Sequence, residues 1–250
     1  ESLKADPELA SRFTSDATTQ PDEFAEEADQ MESFIEERTD RFVVGSRESL
    51  MRDMLTFAAA DGEPNIFVLT GDPGSGKSAL LAKFTRDVAS LYPSSFILPH
   101  FVGASTGSTD LRRTLRRLCH DIADAAGNTE PLPLDIKELI THFQKLLADA
   151  GAKKRVILVF DALNQFDATD GAHWLNWLPR ELPPGVRIVA SVIAPEDGQP
   201  EHQTLAILRH RPGARIEKLE PLTEADTLAI IDGYLKRYSK RLTKEQITAL

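Results

Sequence analysis

Asn65-Ile66-Phe67-Val68-Leu69-Thr70-Gly71-Asp72-Pro73-Gly74-Ser75-Gly76-Lys77-Ser78 decides how the rest of the chain is read. Its first half is a continuous apolar run, the pattern of a strand buried on both faces of a parallel sheet. From Lys77 to Tyr92, Leu80, Leu81, Phe84, Val88 and Leu91 recur at three- and four-residue steps, which predicts a helix with one buried stripe. Between strand and helix, Gly71 to Ser78 fits G-x-x-x-x-G-K-[ST]. Such a loop wraps a phosphate chain with its N–H groups pointing inward, and glycines supply the unusual dihedrals and keep Cβ atoms out of the way. The helix N-terminus behind it adds unsatisfied N–H groups and partial positive charge. Lys77 is placed to reach the β- and γ-phosphates and Ser78 to ligate Mg²⁺, while Gly71, Asp72, Pro73, Gly74, Ser75, Gly76 and Ala79 complete the expected cradle.

Outward from the loop the alternation repeats. Strands are predicted at 96–103, 155–160, 186–192 and 214–219, and helices at 109–125, 134–149, 203–210 and, briefly, from His173 to Leu178. Five strand–helix units predict an α/β fold, a five-stranded parallel sheet with helices on both faces. Upstream, Phe42-Val43-Val44 is a short strand-like run before a turn at Gly45, and Leu50, Met54, Leu55 and Ala58 fall at helical spacing. The expected organisation is an acidic arm over 1–20, a linker helix over 21–40, a core over 41–220 and the start of a helical lid subdomain over 221–250. Helical pattern is still running at Leu250, so the chain reads as a piece of a longer protein.

Mg²⁺ on a phosphate chain calls for an acid at a second strand tip. Asp161 ends the apolar run from Val156 to Phe160, 84 positions after Lys77. That gap holds a complete additional strand, which points to the additional-strand division of P-loop proteins rather than to small nucleotide kinases or Ras-like GTPases. Asn164-Gln165-Phe166-Asp167 superficially matches the guanine-reading Asn-Lys-x-Asp motif, yet it lacks the Lys and follows the wrong strand. Adenine is therefore expected, as ATP or ADP.

With these residues in place the chain resembles the STAND class of P-loop NTPases, NACHT-like signalling ATPases, and in particular the NTPase modules of telomerase-associated protein and nephrocystin-like proteins. The likeness is carried by Phe34 to Arg38 followed by Phe42 to Gly45, by Gly71 to Ser78, by His100 to Ser105 with Ser108 to Arg112, and by Asp161 to Gln165. It implies a molecular switch in which ADP holds a closed form and ATP exchange opens it, often with oligomerisation. It also implies that Val44 and Gly45 line the adenine pocket. Ser46 intervenes where the family has Gly-Arg-Glu without a gap, which weakens Arg47 as a nucleotide contact. The family often has acids three and four residues beyond the strand-end Asp; here Asn164 and Gln165 stand there, and amides orient water but do not accept its proton, so slow hydrolysis is expected. Asp167 is the nearest acid that could substitute. Ser191 fits the strand-tip position that senses a γ-phosphate, and equally a Ser starting a turn. Arg209 or Arg211 stands where oligomeric relatives keep an arginine for a neighbouring subunit.

Composition bounds the rest. Residues 1 to 40 carry 13 acids and 3 bases, while 41 to 250 carry 26 of each, so the net charge of -10 resides in the N-terminal segment. A neutral body disfavours a nucleic-acid-coating surface. Cys119 is the sole cysteine, which excludes an internal disulfide and a multi-Cys metal site and fits a reducing, cytoplasmic compartment. No run of 18 apolar residues is present. Arg112, Arg113, Arg116 and Arg117 read as a solvated basic helix face, His100 as a satisfied core histidine, and Trp174 with Trp177 as one packed helix face. The leading function is an ATP-binding, slowly hydrolysing switch with self-association or regulatory protein partners. A nucleotide-locked scaffold and a nucleic-acid-associated ATPase stand as alternatives.

Overall fold

A computed structural model describes residues 24–40, 42–128, 130–195 and 198–237. The acidic arm at 1–20 and the helical pattern from Thr243 lie outside them. In chain order the elements are α1 (Ala25–Thr39), α2 (Glu48–Ala59), β1 (Ile66–Gly71), α3 (Lys77–Leu91), β2 (Phe96–Phe101), α4 (Leu111–Ala125), α5 (Ile136–Lys153), β3 (Val156–Asp161), β4 (Val186–Ile193), α6 (Gln203–Arg209), β5 (Ala214–Lys218) and α7 (Glu224–Arg237).

All five strands are parallel in the order β2-β3-β4-β1-β5. β4 thus lies between the loop strand β1 and the Asp161 strand β3, the additional-strand arrangement expected. Alternate residues of each strand feed opposite faces. Phe67, Leu69, Ile157, Val159 and Val189 pack under α1, α2 and α3, while Ile66, Val68, Leu158, Phe160 and Ile188 pack under α4, α5 and α6. β1 and β3 are buried at every position, which is why their sequences read as unbroken apolar runs.

The outer edge of β2 is sealed. Pro99 presents no N–H there, its carbonyl accepts from Arg117 Nη2 at 2.8 Å, and the Phe101 N–H meets Met31 Sδ of α1 at 3.4 Å. Arg117, 3% exposed, also pairs with Asp121 at 2.8 Å, and Arg113 pairs with Glu27 of α1. The basic face of α4 is thus partly internal, correcting the reading of a solvated stripe. Arginines can bury their stems when carboxylates and carbonyls meet the head.

Two local expectations also change. Phe42 to Val44 forms no strand; both edges of the sheet are reached without it, and Phe42 instead packs against the α1–α3 layer. The helix expected from His173 to Leu178 is a single 3₁₀ turn, Ala172–Trp174, because Gly171 (φ 73°) and Leu175 (φ 54°) adopt left-handed backbone on either side. Trp177 is buried, whereas Trp174 is 59% exposed, so the two do not share one packed face. His100 is a core residue: its ring stacks on Phe166, and Nε2 lies 2.8 Å from the Ser108 carbonyl. Burial and the Arg117 charge push its pKa down to about 3, so the ring is neutral. Burial likewise pushes the Cys119 thiol up to about 12, leaving it unreactive.

Candidate nucleotide site

β1 delivers the loop to the C-terminal edge of the sheet, and Gly76 (φ 89°) turns it into α3 without a side-chain cap. α4 and α5, by contrast, begin with Asp110 and Asp135 accepting from their first N–H groups. An uncapped helix start behind a glycine turn is an anion cradle. Gly74 (φ 74°) also needs the left-handed region, and a Cβ at Gly76 would stand 2.7 Å from Arg47 Nη1. The Lys77 ammonium is folded onto the loop, donating to the carbonyls of Gly71 at 2.7 Å and Asp72 at 2.8 Å. Partial burial lowers its pKa, and the charges of Asp161 and Asp72 oppose that shift.

Opposite the loop stand the tips of β3 and β4. The pairing of Phe160 with Ala190 brings Asp161 beside Ser191. Ser191 Oγ donates to Asp161 Oδ1 at 2.5 Å and accepts from the Ala162 N–H at 2.7 Å. Ala162 is left-handed (φ 60°), a conformation that costs a non-glycine residue about 1 kcal/mol and is secured here by the Ser191 contact. The turn that follows carries Asn164 and Gln165. Asn164 Oδ1 accepts from the Ile193 N–H at 3.0 Å, while Gln165 is exposed at the mouth.

Loop and strand tips enclose a cavity of about 280 Å³. The structure brings Pro73, Gly74, Gly76, Lys77, Ser78 and Ala79 to one wall and Asp161, Asn164, Gln165 and Ser191 to the other. A wider groove of about 650 Å³ beside Trp174 and Arg211 shares no residue with it. Asp167 is not in its lining; Asp167 accepts from Thr109 Oγ1 at 2.9 Å. Arg211 is spent on the carbonyls of Leu175 and Pro179, and Arg209 on Glu201 at 2.7 Å.

Val44 and Gly45 lie outside this cavity, at a 3₁₀ turn over Gly45–Arg47. Sequence spacing weakened Arg47 as a nucleotide contact; in the fold it is 7% exposed and its Nη2 donates to the Ser75 carbonyl of the loop at 2.5 Å. The extra Ser46 has a partner of its own. Asp226 of α7 accepts from the Ser46 N–H at 2.9 Å and from its hydroxyl at 2.6 Å, and also from Thr223 N at 3.0 Å and Oγ1 at 2.6 Å. These bonds hold the carboxyl well below the usual carboxylate range. One residue of α1, Arg38, also lines the cavity; the sequence placed it in the Phe34-to-Arg38 stretch that carries the resemblance, without a role at the site.

The residues present fit a phosphate chain with one divalent cation. An ammonium, a helix N-terminus with its glycine turn, a hydroxyl and a buried carboxylate face one volume.

A family model described as an AAA ATPase domain matches residues 43–192. The chain is 28% identical over 242 residues to nephrocystin-3 of Mus musculus, covering 92% of this chain and 17% of that protein. It is 30% identical over 193 residues to NACHT and WD repeat domain-containing protein 2 of Homo sapiens, covering 74% of this chain and 11% of that protein. It therefore spans less than a fifth of the length of these relatives. Among solved structures, Drosophila ORC bound to DNA shares the fold, with a TM-score of 0.52 at 13% identity over 83% of this chain and 50% of that one.

Proposed function

The chain belongs to the AAA ATPase domain family, and from that premise we propose that it is the ATP-binding, slowly hydrolysing switch module of a larger multidomain protein. The observation that carries this reading is the single cavity shared by Lys77, Ser78 and Asp161. The loop N–H groups and Lys77 bind the phosphate chain, and Ser78 with Asp161 would hold Mg²⁺. When bound, Mg²⁺ would supply charge neutralisation to the phosphate chain.

Ser191 keeps the Asp161 carboxylate aimed by donating to Oδ1. Gln165 is the polar group at the mouth free to orient a water, while the Asn164 carbonyl is committed to Ile193. Neither amide takes a proton, which supports slow turnover and a long-lived bound state, properties suited to a switch. The contact of Asp226 with the Gly45–Arg47 turn gives α7 a direct hold on the segment that touches the loop, which supports coupling between nucleotide and lid. Self-association, regulatory partners and a reducing cytoplasmic setting belong to the same proposal. No helix among the described residues is long and apolar enough to cross a membrane.

The test is to denature the purified protein and identify the released nucleotide by chromatography, then titrate the emptied protein with ATP and ADP. Adenine nucleotide near one per chain, or micromolar rebinding, is expected. A protein that is empty as purified and binds neither nucleotide contradicts the proposal.

A further inference from the structure

We infer that Arg38 determines the preference of this site for a nucleoside triphosphate over a diphosphate by meeting the terminal phosphate from α1. The inference rests on the nucleotide reading above and adds a residue outside the loop and strand tips.

Arg38 lies in the last turn of α1, yet it lines the same cavity as Lys77, Asp161, Gln165 and Ser191. The Gly45 turn and Asp226 are not part of that lining. Its guanidinium is exposed and makes no hydrogen bond or ion pair to the described residues. Lys77 by comparison is engaged with loop carbonyls, and Arg47 with Ser75. Arg38 is thus the cation at this cavity whose donors stand ready for an incoming anion. A planar guanidinium can meet phosphate oxygens with two parallel hydrogen bonds.

Its position is fixed rather than random. The Arg38 Cζ sits 4.9 Å from the centroid of Phe34, one helical turn earlier, and Phe34 in turn packs on Phe101 of β2 with centroids 5.1 Å apart. Met31 and Ile35 are 3% and 2% exposed, Glu27 is paired with Arg113, and Arg86 Nη1 donates to Thr39 Oγ1 at 2.7 Å just past Arg38. The helix is therefore anchored at its start, middle and end, and the guanidinium is carried on a rigid mount.

The test compares binding of ADP and of a non-hydrolysable ATP analogue, each with Mg²⁺, by calorimetry in the wild type, Arg38→Ala, Arg38→Lys and Lys77→Ala. Arg38→Ala should lose about 10- to 100-fold affinity for the triphosphate analogue and little for ADP, the range of one or two charge-assisted hydrogen bonds. Arg38→Lys should keep part of the preference. Because Arg38 is exposed, melting temperatures should match the wild type. Equal affinities in wild type and Arg38→Ala, or an equal loss for both nucleotides, would overturn the assignment while the nucleotide reading stands. Wild-type protein that binds neither nucleotide would sink that reading, and this inference with it.

Discussion

The two walls of the cavity are built by different means. The loop wall is made of backbone: glycine dihedrals, an uncapped helix start and one lysine folded onto its own carbonyls. The strand wall is made of side chains: Asp161 held by Ser191, Ala162 held by the same hydroxyl, and Asn164 tied to Ile193. Backbone cradles depend on a few residues close in sequence, while the second wall depends on register between strands and on groups packed behind it. Binding should therefore be governed by the first wall and turnover by the second.

The largest effect that would break this division is expected at the loop. Lys77→Ala should weaken binding of either nucleotide by roughly 100-fold, the loss of its charge-assisted contacts to phosphate, measurable by titration. A loss confined to turnover would reverse the roles of the two walls.

Ser191→Ala attacks the other wall. Ser191 is fully buried, and its removal leaves the Ala162 N–H and Asp161 Oδ1 without this partner. A destabilisation of about 1–3 kcal/mol is expected in urea denaturation, together with slower turnover. Unchanged stability would mean that the hydroxyl does not hold this wall together.

Acid should also loosen the strand wall. His100 stacks on Phe166, which follows the turn bearing Asn164 and Gln165. Its folded pKa, about 3, lies below the unfolded value near 6.5, so the unfolded chain binds the extra proton first. Stability contributed by neutral His100 is complete above pH 6.5 and is lost as pH falls toward 3. Between pH 7 and 5 the loss should be about 2 kcal/mol, and His100→Asn should flatten that slope. An identical slope in the variant would remove His100 from the explanation.

The smallest change sharpens the comparison from the chemical side. Gln165→Glu places a proton acceptor at the exposed mouth position and should raise turnover by about 10-fold with little change in affinity. A fall in turnover would show that the amide itself orients the water.

How legible each wall was in the sequence follows from the same distinction. Gly71 to Ser78 is contiguous, and its flanking apolar run and helical stripe announce strand, loop and helix without tertiary information. Asp161 was readable because a fully buried strand leaves an unbroken apolar run with the acid at its end. The places of Arg38, Arg47 and Asp226 beside the site were not, since tertiary packing sets them: Ser46 and Asp226 are 180 positions apart, and Arg47 reaches a carbonyl 28 positions on. The same cause hid the internal role of Arg117, whose helical spacing resembles that of any solvated cation. Phe42 to Val44 misled because an apolar triplet can pack against a helix layer as readily as it can pair in a sheet.

The division of labour between the walls meets its most direct test in Asp161→Asn. Asparagine keeps an acceptor for Ser191 but removes the negative charge that would face Mg²⁺. With affinity measured by titration and ADP formation followed under single-turnover conditions in the same preparation, binding is expected within a few-fold of wild type and ADP formation slowed by roughly 100-fold. Wild-type rates of ADP formation in the variant, or loss of binding as severe as in Lys77→Ala, would contradict the assignment of turnover to the strand wall and binding to the loop.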